Sequence, residues 1–186
     1  MVATTPPATS LETFLQLPET KPASEYIDGK VFQKPMPKRK HSLLQSELCA
    51  TINAVTKPQK IAYAFPELRC TFGGRSLVPD IAVLQWDRIQ FDADGEPVDD
   101  VVISPDWVIE ILSPEQSSNR VTANIAHCLK HGCQLGWLID PKDRSILVLT
   151  LNQFPELCQE SDRLIILETI PLSLSAHEVF DWLKLA

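Results

Sequence analysis

Pro105-Asp106-Trp107-Val108-Ile109-Glu110-Ile111-Leu112-Ser113-Pro114 is the stretch on which the reading of this chain turns. The β-branched and apolar run between its two prolines has the length and composition of a buried strand. Glu110 is then a carboxylate on a strand with no polar face, a costly position unless a cation or hydrogen-bond donors stand beside it. A second stretch, Ser76-Leu77-Val78-Pro79-Asp80-Ile81-Ala82-Val83-Leu84, sets Asp80 against an equally apolar strand. Two strand-borne carboxylates suggest a metal, because hard divalent cations are held by carboxylate oxygen.

The rest of the chain bounds what such a site can belong to. With 186 residues, 44% hydrophobic and 22% charged, it has an ordinary globular composition and length enough for one substantial core. It carries no run long and apolar enough to cross a membrane, and its first residues show neither a basic nor an apolar signal region, so a cytoplasmic protein without a membrane partner is expected. Its five cysteines include no Cys-x-x-Cys pair and read as reduced thiols. The net charge of −7 argues against a nonspecific polyanion binder, though a local basic groove is compatible with it.

Residues 1–8 are rich in Pro, Thr and Ala and read as disordered, with residues 9–186 as a single domain. Thr9 and Glu12 have capping-box spacing before a short helix that ends by Pro18. Asp28-Gly29 between two apolar runs signals a tight hairpin. Leu44, Leu48, Ile52 and Val55 recur at helical spacing up to Lys57. Lys38, Arg39 and Lys40 stand at the start of that helix, where cations oppose the macrodipole; they are either a solvated charge run or a phosphate contact. Residues 61–72 and 76–84 read as two strands joined at Gly73-Gly74, and residues 87–100 as a polar surface excursion. After the central strand at 108–112 come a helix over 121–131 capped by Gly132, strands at 135–140 and 145–151, and a further strand at 164–167. A terminal helix opens at the Ser175/Glu178 capping box. This alternation indicates an α/β fold, in the α+β sense of a mixed sheet.

The joint pattern Val78-Pro79-Asp80-Ile81, Val108-Ile109-Glu110-Ile111-Leu112-Ser113-Pro114, Gly132 and Trp137-Leu138-Ile139-Asp140-Pro141 resembles the Uma-type family of restriction-endonuclease-like proteins. That family is abundant in cyanobacteria and related to the PD-(D/E)xK nucleases. The resemblance covers roughly Glu25 to Leu149. It implies a restriction-endonuclease-like core with N-terminal β-hairpins and flanking helices, a magnesium or manganese ion on Asp80, Glu110 and the Ile111 carbonyl, DNA as the partner, and a homodimer. Glu25 lies where the family also has a glutamate, and Glu47 is another candidate for the metal's surroundings; each is equally well read as an ordinary polar position. Leu112, two residues after Glu110, cannot supply the lysine of such sites, and family members usually carry it on the following helix. There this chain has Asn124, with Arg120 where an aspartate is common and Cys128 where a tyrosine is common.

Two function classes follow. One is a metal-dependent endonuclease whose catalytic set includes Asp80, Glu110, Asn124 and Arg120, with Arg120 or Lys130 as substitutes for the lysine and Lys38, Arg39 and Lys40 on the nucleic acid. The other is a catalytically impaired module that keeps the fold and binds nucleic acid or protein. A rival metal site lies in His127-Cys128-Leu129-Lys130-His131-Gly132-Cys133, where two histidines share a helix face but no matching ligand pair completes a zinc sphere. Trp107 and Trp137 are read as core or interface residues, and Phe180 as packing on the body, rather than as base-stacking platforms.

Overall fold

The computed structural model describes residues 9–114 and 116–185. The disorder expected for residues 1–8 lies outside them. The first helix, α1 (Leu11–Leu15), is capped by Ser10, whose hydroxyl accepts from Thr13 N. The cap is thus one residue later than the Thr9 spacing indicated. The Asp28-Gly29 hairpin forms β1 (Ser24–Ile27) and β2 (Lys30–Gln33), with both turn residues at positive φ, 49° and 80°. Those are the left-handed values that a two-residue turn needs to match the strand twist.

Helix α2 (Arg39–Thr56) follows, and its Leu44, Leu48 and Ile52 stripe is fully buried. The long hairpin after it is not two continuous strands. It breaks into β3 (Ala62–Pro66), β4 (Cys70–Phe72), β5 (Arg75–Leu77) and β6 (Ile81–Gln85). The inner pair, β4 and β5, joins the first hairpin in an antiparallel sheet of order β2-β1-β5-β4. The outer pair, β3 and β6, enters a six-stranded sheet. The hairpin changes sheet where Glu67, at φ 49°, donates its N–H to the Asp80 carbonyl at 3.1 Å. Pro79 sits in that break, where its missing N–H interrupts no ladder.

The six-stranded sheet runs β10-β9-β8-β7-β6-β3, with β7 (Trp107–Ile111), β8 (Leu135–Asp140), β9 (Ser145–Thr150) and β10 (Glu156–Gln159). Only β7 and β8 are parallel, and α3 (Ser118–Lys130) is their crossover. The strand expected at 164–167 is absent. That segment is held by a Leu164 N–H bond to the Leu174 carbonyl and a turn closing at Ile170, while β10 fills the sheet edge. The terminal helix α4 (Ala176–Asp181) has the Ser175/Glu178 capping box intact.

The pleat of β7 separates two cores. Trp107, Ile109 and Ile111 face α2 and α4, with Trp107 and Trp137 edge to face at 4.6 Å and Phe180 buried in the same cluster. These aromatics are core, as read from the sequence. Val108 and Glu110 face the opposite side, where Val121, Ile125, Cys128 and Leu129 of α3 pack. Gly136 on β8 lets that helix approach, since a β-carbon there would collide with Ile125. Glu110 therefore points between β7 and α3, toward the small sheet.

Candidate active site

Six polar side chains from six places in the chain meet where the two sheets adjoin. Asp80 arrives at the hairpin's change of sheet and Glu110 on β7. Glu25 comes from β1, Lys34 from just beyond β2, His41 from the first turn of α2, and Asn124 from the buried face of α3. Lys34 is the centre: its ammonium donates to Asp80 Oδ1 at 2.7 Å, to the Val78 carbonyl at 2.8 Å and to Glu110 Oε2 at 3.4 Å. Asp80 Oδ2 accepts the Ile111 N–H at 2.7 Å and lies 3.0 Å from His41 Nε2. Gln45 Nε2 donates to the Asp80 carbonyl at 2.7 Å, fixing the backbone as well. Glu25 accepts from Val78 N–H at 2.9 Å and from Asn124 Nδ2 at 3.3 Å.

The electrostatics follow from three buried carboxylates around one lysine. Burial alone would push the Asp80 carboxyl up, but Lys34 and His41 outweigh it and hold it well below the usual carboxylate range. Burial likewise opposes the Lys34 ammonium. Glu110, Asp80 and Glu25 overcome that and raise its pKa, so Lys34 stays charged. Glu110 moves the other way. Burial raises it well above the carboxylate range, because Lys34 lies closer to Asp80 and the Asp80 and Glu25 charges add to the penalty. Glu25 is raised too, chiefly by burial.

Several sequence candidates stand elsewhere. Arg120 lies over the Phe32 ring at 4.5 Å rather than on the carboxylates, and Lys130 is exposed at the far end of α3. His41 and Gln45, not Glu47, are the α2 residues that reach Asp80, and Glu47 is half-buried. Asn124 reaches the site through Glu25. At Ile111 it is the N–H that engages Asp80. Arg39 and Lys40 are exposed on the first turn of α2, which Lys38 caps. The zinc reading of the α3 histidines finds no support in the geometry. His127 Nε2 pairs with the Phe72 carbonyl at 3.3 Å, His131 Nδ1 with the His127 carbonyl at 2.8 Å, and both rings pack on Phe72. Cys133 Sγ donates to the Leu135 carbonyl.

The sequence reading missed Lys34 and His41, although both left signals. The two-residue turn fixes the register at Glu25 opposite Phe32, and period two then puts Lys34 on the same face as Glu25. His41 stands three residues before Leu44 and extends the buried stripe of α2 to its N-terminal end.

The chain matches the family model described as "Uma2: Putative restriction endonuclease" over residues 11–180. It belongs to this family. Among solved structures, a protein from Anabaena variabilis ATCC 29413, titled a putative nuclease belonging to DUF820, superposes with a TM-score of 0.92 at 52% identity, covering 94% of this chain and 99% of that one. A search of curated proteins finds no match. Among the described residues no helix is long and apolar enough to cross a membrane.

Restriction-endonuclease-like families generally use divalent metals, and the donor chemistry here can be tested against such an ion. Among the described residues no group of three or more His, Cys, Asp or Glu side chains is arranged as a metal cluster. The Asp80 and Glu110 carboxylates nevertheless already share one cation, the Lys34 ammonium. Burial raises the Glu110 pKa despite that shared ammonium. Two hard oxygen donors on neighbouring carboxyl groups fit magnesium or manganese, which bind through one or two carboxylates and fill the remaining positions with water and phosphate.

Proposed function

We propose that this protein is a magnesium- or manganese-dependent endonuclease that hydrolyses DNA phosphodiester bonds. The observation that carries the reading is the convergence of Asp80, Glu110 and Lys34, an aspartate, a glutamate and a lysine within one ammonium's hydrogen-bond reach. Asp80 and Glu110 would hold the ion, with the Ile111 carbonyl as a further oxygen. Bound there, a divalent ion lowers the pKa of an attacking water and absorbs charge on the phosphoryl oxygens.

The chain's own groups do the rest. The Ile111 N–H, His41 and Lys34 hold the Asp80 carboxylate from two sides and fix its orientation before substrate arrives. Lys34 holds its proton, which makes it a donor to a nonbridging phosphoryl oxygen and not a base. Asn124 fixes Glu25 at the back of the site. Lys38, Arg39 and Lys40 lie beside the site at the start of α2 and would meet flanking phosphates. The reading as a noncatalytic module rested on the missing helix lysine, and Lys34 provides that charge from another element.

Supercoiled plasmid incubated with purified protein is the test. Nicking should appear with magnesium or manganese, stop with EDTA, and be lost in Asp80→Ala and Glu110→Ala. Cleavage that persists in EDTA, or in both variants, would refute the assignment.

A further inference from the structure

The reacting side chains do not lie on an open surface. Asp80 and Glu110 are 3% and 4% exposed and His41 7%, so the phosphodiester must come to the bottom of a groove. On one side of His41 the groove has a volume of 380 Å³, between the Glu19–Ala23 segment and Pro35–Pro37 on one hand and Glu67 and Ser113 on the other. On the other side it continues as a 670 Å³ channel between the first turn of α2 and the Asp140–Asp143 turn. His41, Ser113 and Gln116 line both parts, so the two adjoin beside Asp80, which lines the first.

The walls of this groove are braced. Arg69 holds Glu19 through two hydrogen bonds of 2.9 and 2.7 Å and also bonds the Ser24 carbonyl. The Pro22 carbonyl accepts from Thr20 and Gln33, and Lys34 N–H donates to the Ala23 carbonyl. Proline at 22, 35 and 37 removes further backbone freedom. The channel is net positive: Lys38, Arg39, Lys40 and Lys142 line it, opposed by Asp140 and Asp143. Met36, 65% exposed between two prolines, forms an apolar lip at the other mouth.

From this we infer that the substrate is an unpaired DNA strand, not the interior of a duplex; the inference rests on the nuclease reading above. A duplex is stiff over its whole length and presents its phosphates outside a broad cylinder, so it reaches buried carboxylates only if braced walls part. A single strand is narrow and flexible and threads such a groove, with its phosphates on Arg39, Lys40 and Lys142 and its bases toward the Met36 lip.

Fluorescence anisotropy in EDTA separates the alternatives without turnover. A labelled single strand of roughly a dozen nucleotides, within the usual site sizes, should bind at least about tenfold tighter than the blunt duplex of the same sequence at equal salt. Lys40→Glu combined with Lys142→Glu, checked for fold by circular dichroism, should weaken strand binding. Each lost phosphate contact should also flatten the slope of log affinity against log salt by about 0.7. Equal or tighter binding of the duplex, or unchanged binding by the double variant, overturns the inference. With magnesium present, a forked substrate should be cut only in its unpaired arms, and cuts inside the paired stem would equally overturn it. If no substrate is hydrolysed, the nuclease reading falls, while the binding comparison still decides the strand preference.

Discussion

Replacing Lys34 by methionine keeps the length of the side chain and removes its charge. The ammonium neutralises two carboxylates that are 3% and 4% exposed, and breaking a buried pair by deleting one partner costs about 3–5 kcal/mol. Glu110 returns part of that cost by staying protonated, as its raised pKa allows, which leaves a net loss on the order of 2–3 kcal/mol. For a chain of this size such a loss lowers Tm by roughly 4–12 °C. Thermal unfolding in EDTA followed by circular dichroism reads this directly. Saturating magnesium should recover much of the Tm difference, since an ion on Asp80 and Glu110 restores the missing charge. Phosphodiester hydrolysis should still fall by about a hundredfold or more, because the ion does not replace a positioned donor to the phosphoryl oxygen. A Lys34→Met protein with unchanged Tm in EDTA and unchanged nicking would refute the view that this lysine is the centre of the site.

Further outcomes follow from the same geometry. Asn124→Lys should give no gain in the wild-type background, where Lys34 already supplies the charge, but should restore part of the nicking lost in Lys34→Met; a gain in wild type of the same size would show that Lys34 is idle. The Glu110 carboxyl is raised on folding, so its contribution to stability is present at low pH and is lost as pH rises from the ordinary carboxylate range through its raised value. In metal-free urea titrations the wild type should therefore lose stability with rising pH, and Glu110→Gln should show a smaller loss, the remainder coming from Glu25; identical pH profiles would contradict the shift. Gly136→Ala sets a β-carbon against Ile125 beneath α3 and should cost about 1–3 kcal/mol by denaturant unfolding, with an unaltered stability counting against the packing described.

What the sequence disclosed and what it hid divide along the range of the interactions. The apolar runs around Asp80 and Glu110, the Asp28-Gly29 turn and the Ser175/Glu178 cap are local signals, and each led to the element found there. The split of the long hairpin between two sheets was not legible, because it depends on Glu67 bonding to the Asp80 carbonyl across the strands, and neither Pro79 nor Glu67 announces that pairing. The strand expected at 164–167 had the right apolar run but no partner edge, which β10 already occupied. The site shows the same division. The two carboxylates stood out because a charge in an apolar strand is anomalous. Lys34 follows a solvent-facing hairpin strand and looks like any surface lysine until the register places it beside Glu25. Reasoning from the family's usual helix led to Asn124, whereas the charge arrives from the opposite end of the chain.

The most direct measurement is a crystal of the protein soaked in manganese, with the ion located by its anomalous scattering. One ion should lie between Asp80 and Glu110, touching an oxygen of each at about 2.1 Å, with the Lys34 ammonium withdrawn from at least one carboxylate. Saturating manganese that leaves no ion there, with Lys34 still bridging Asp80 and Glu110, would contradict the account.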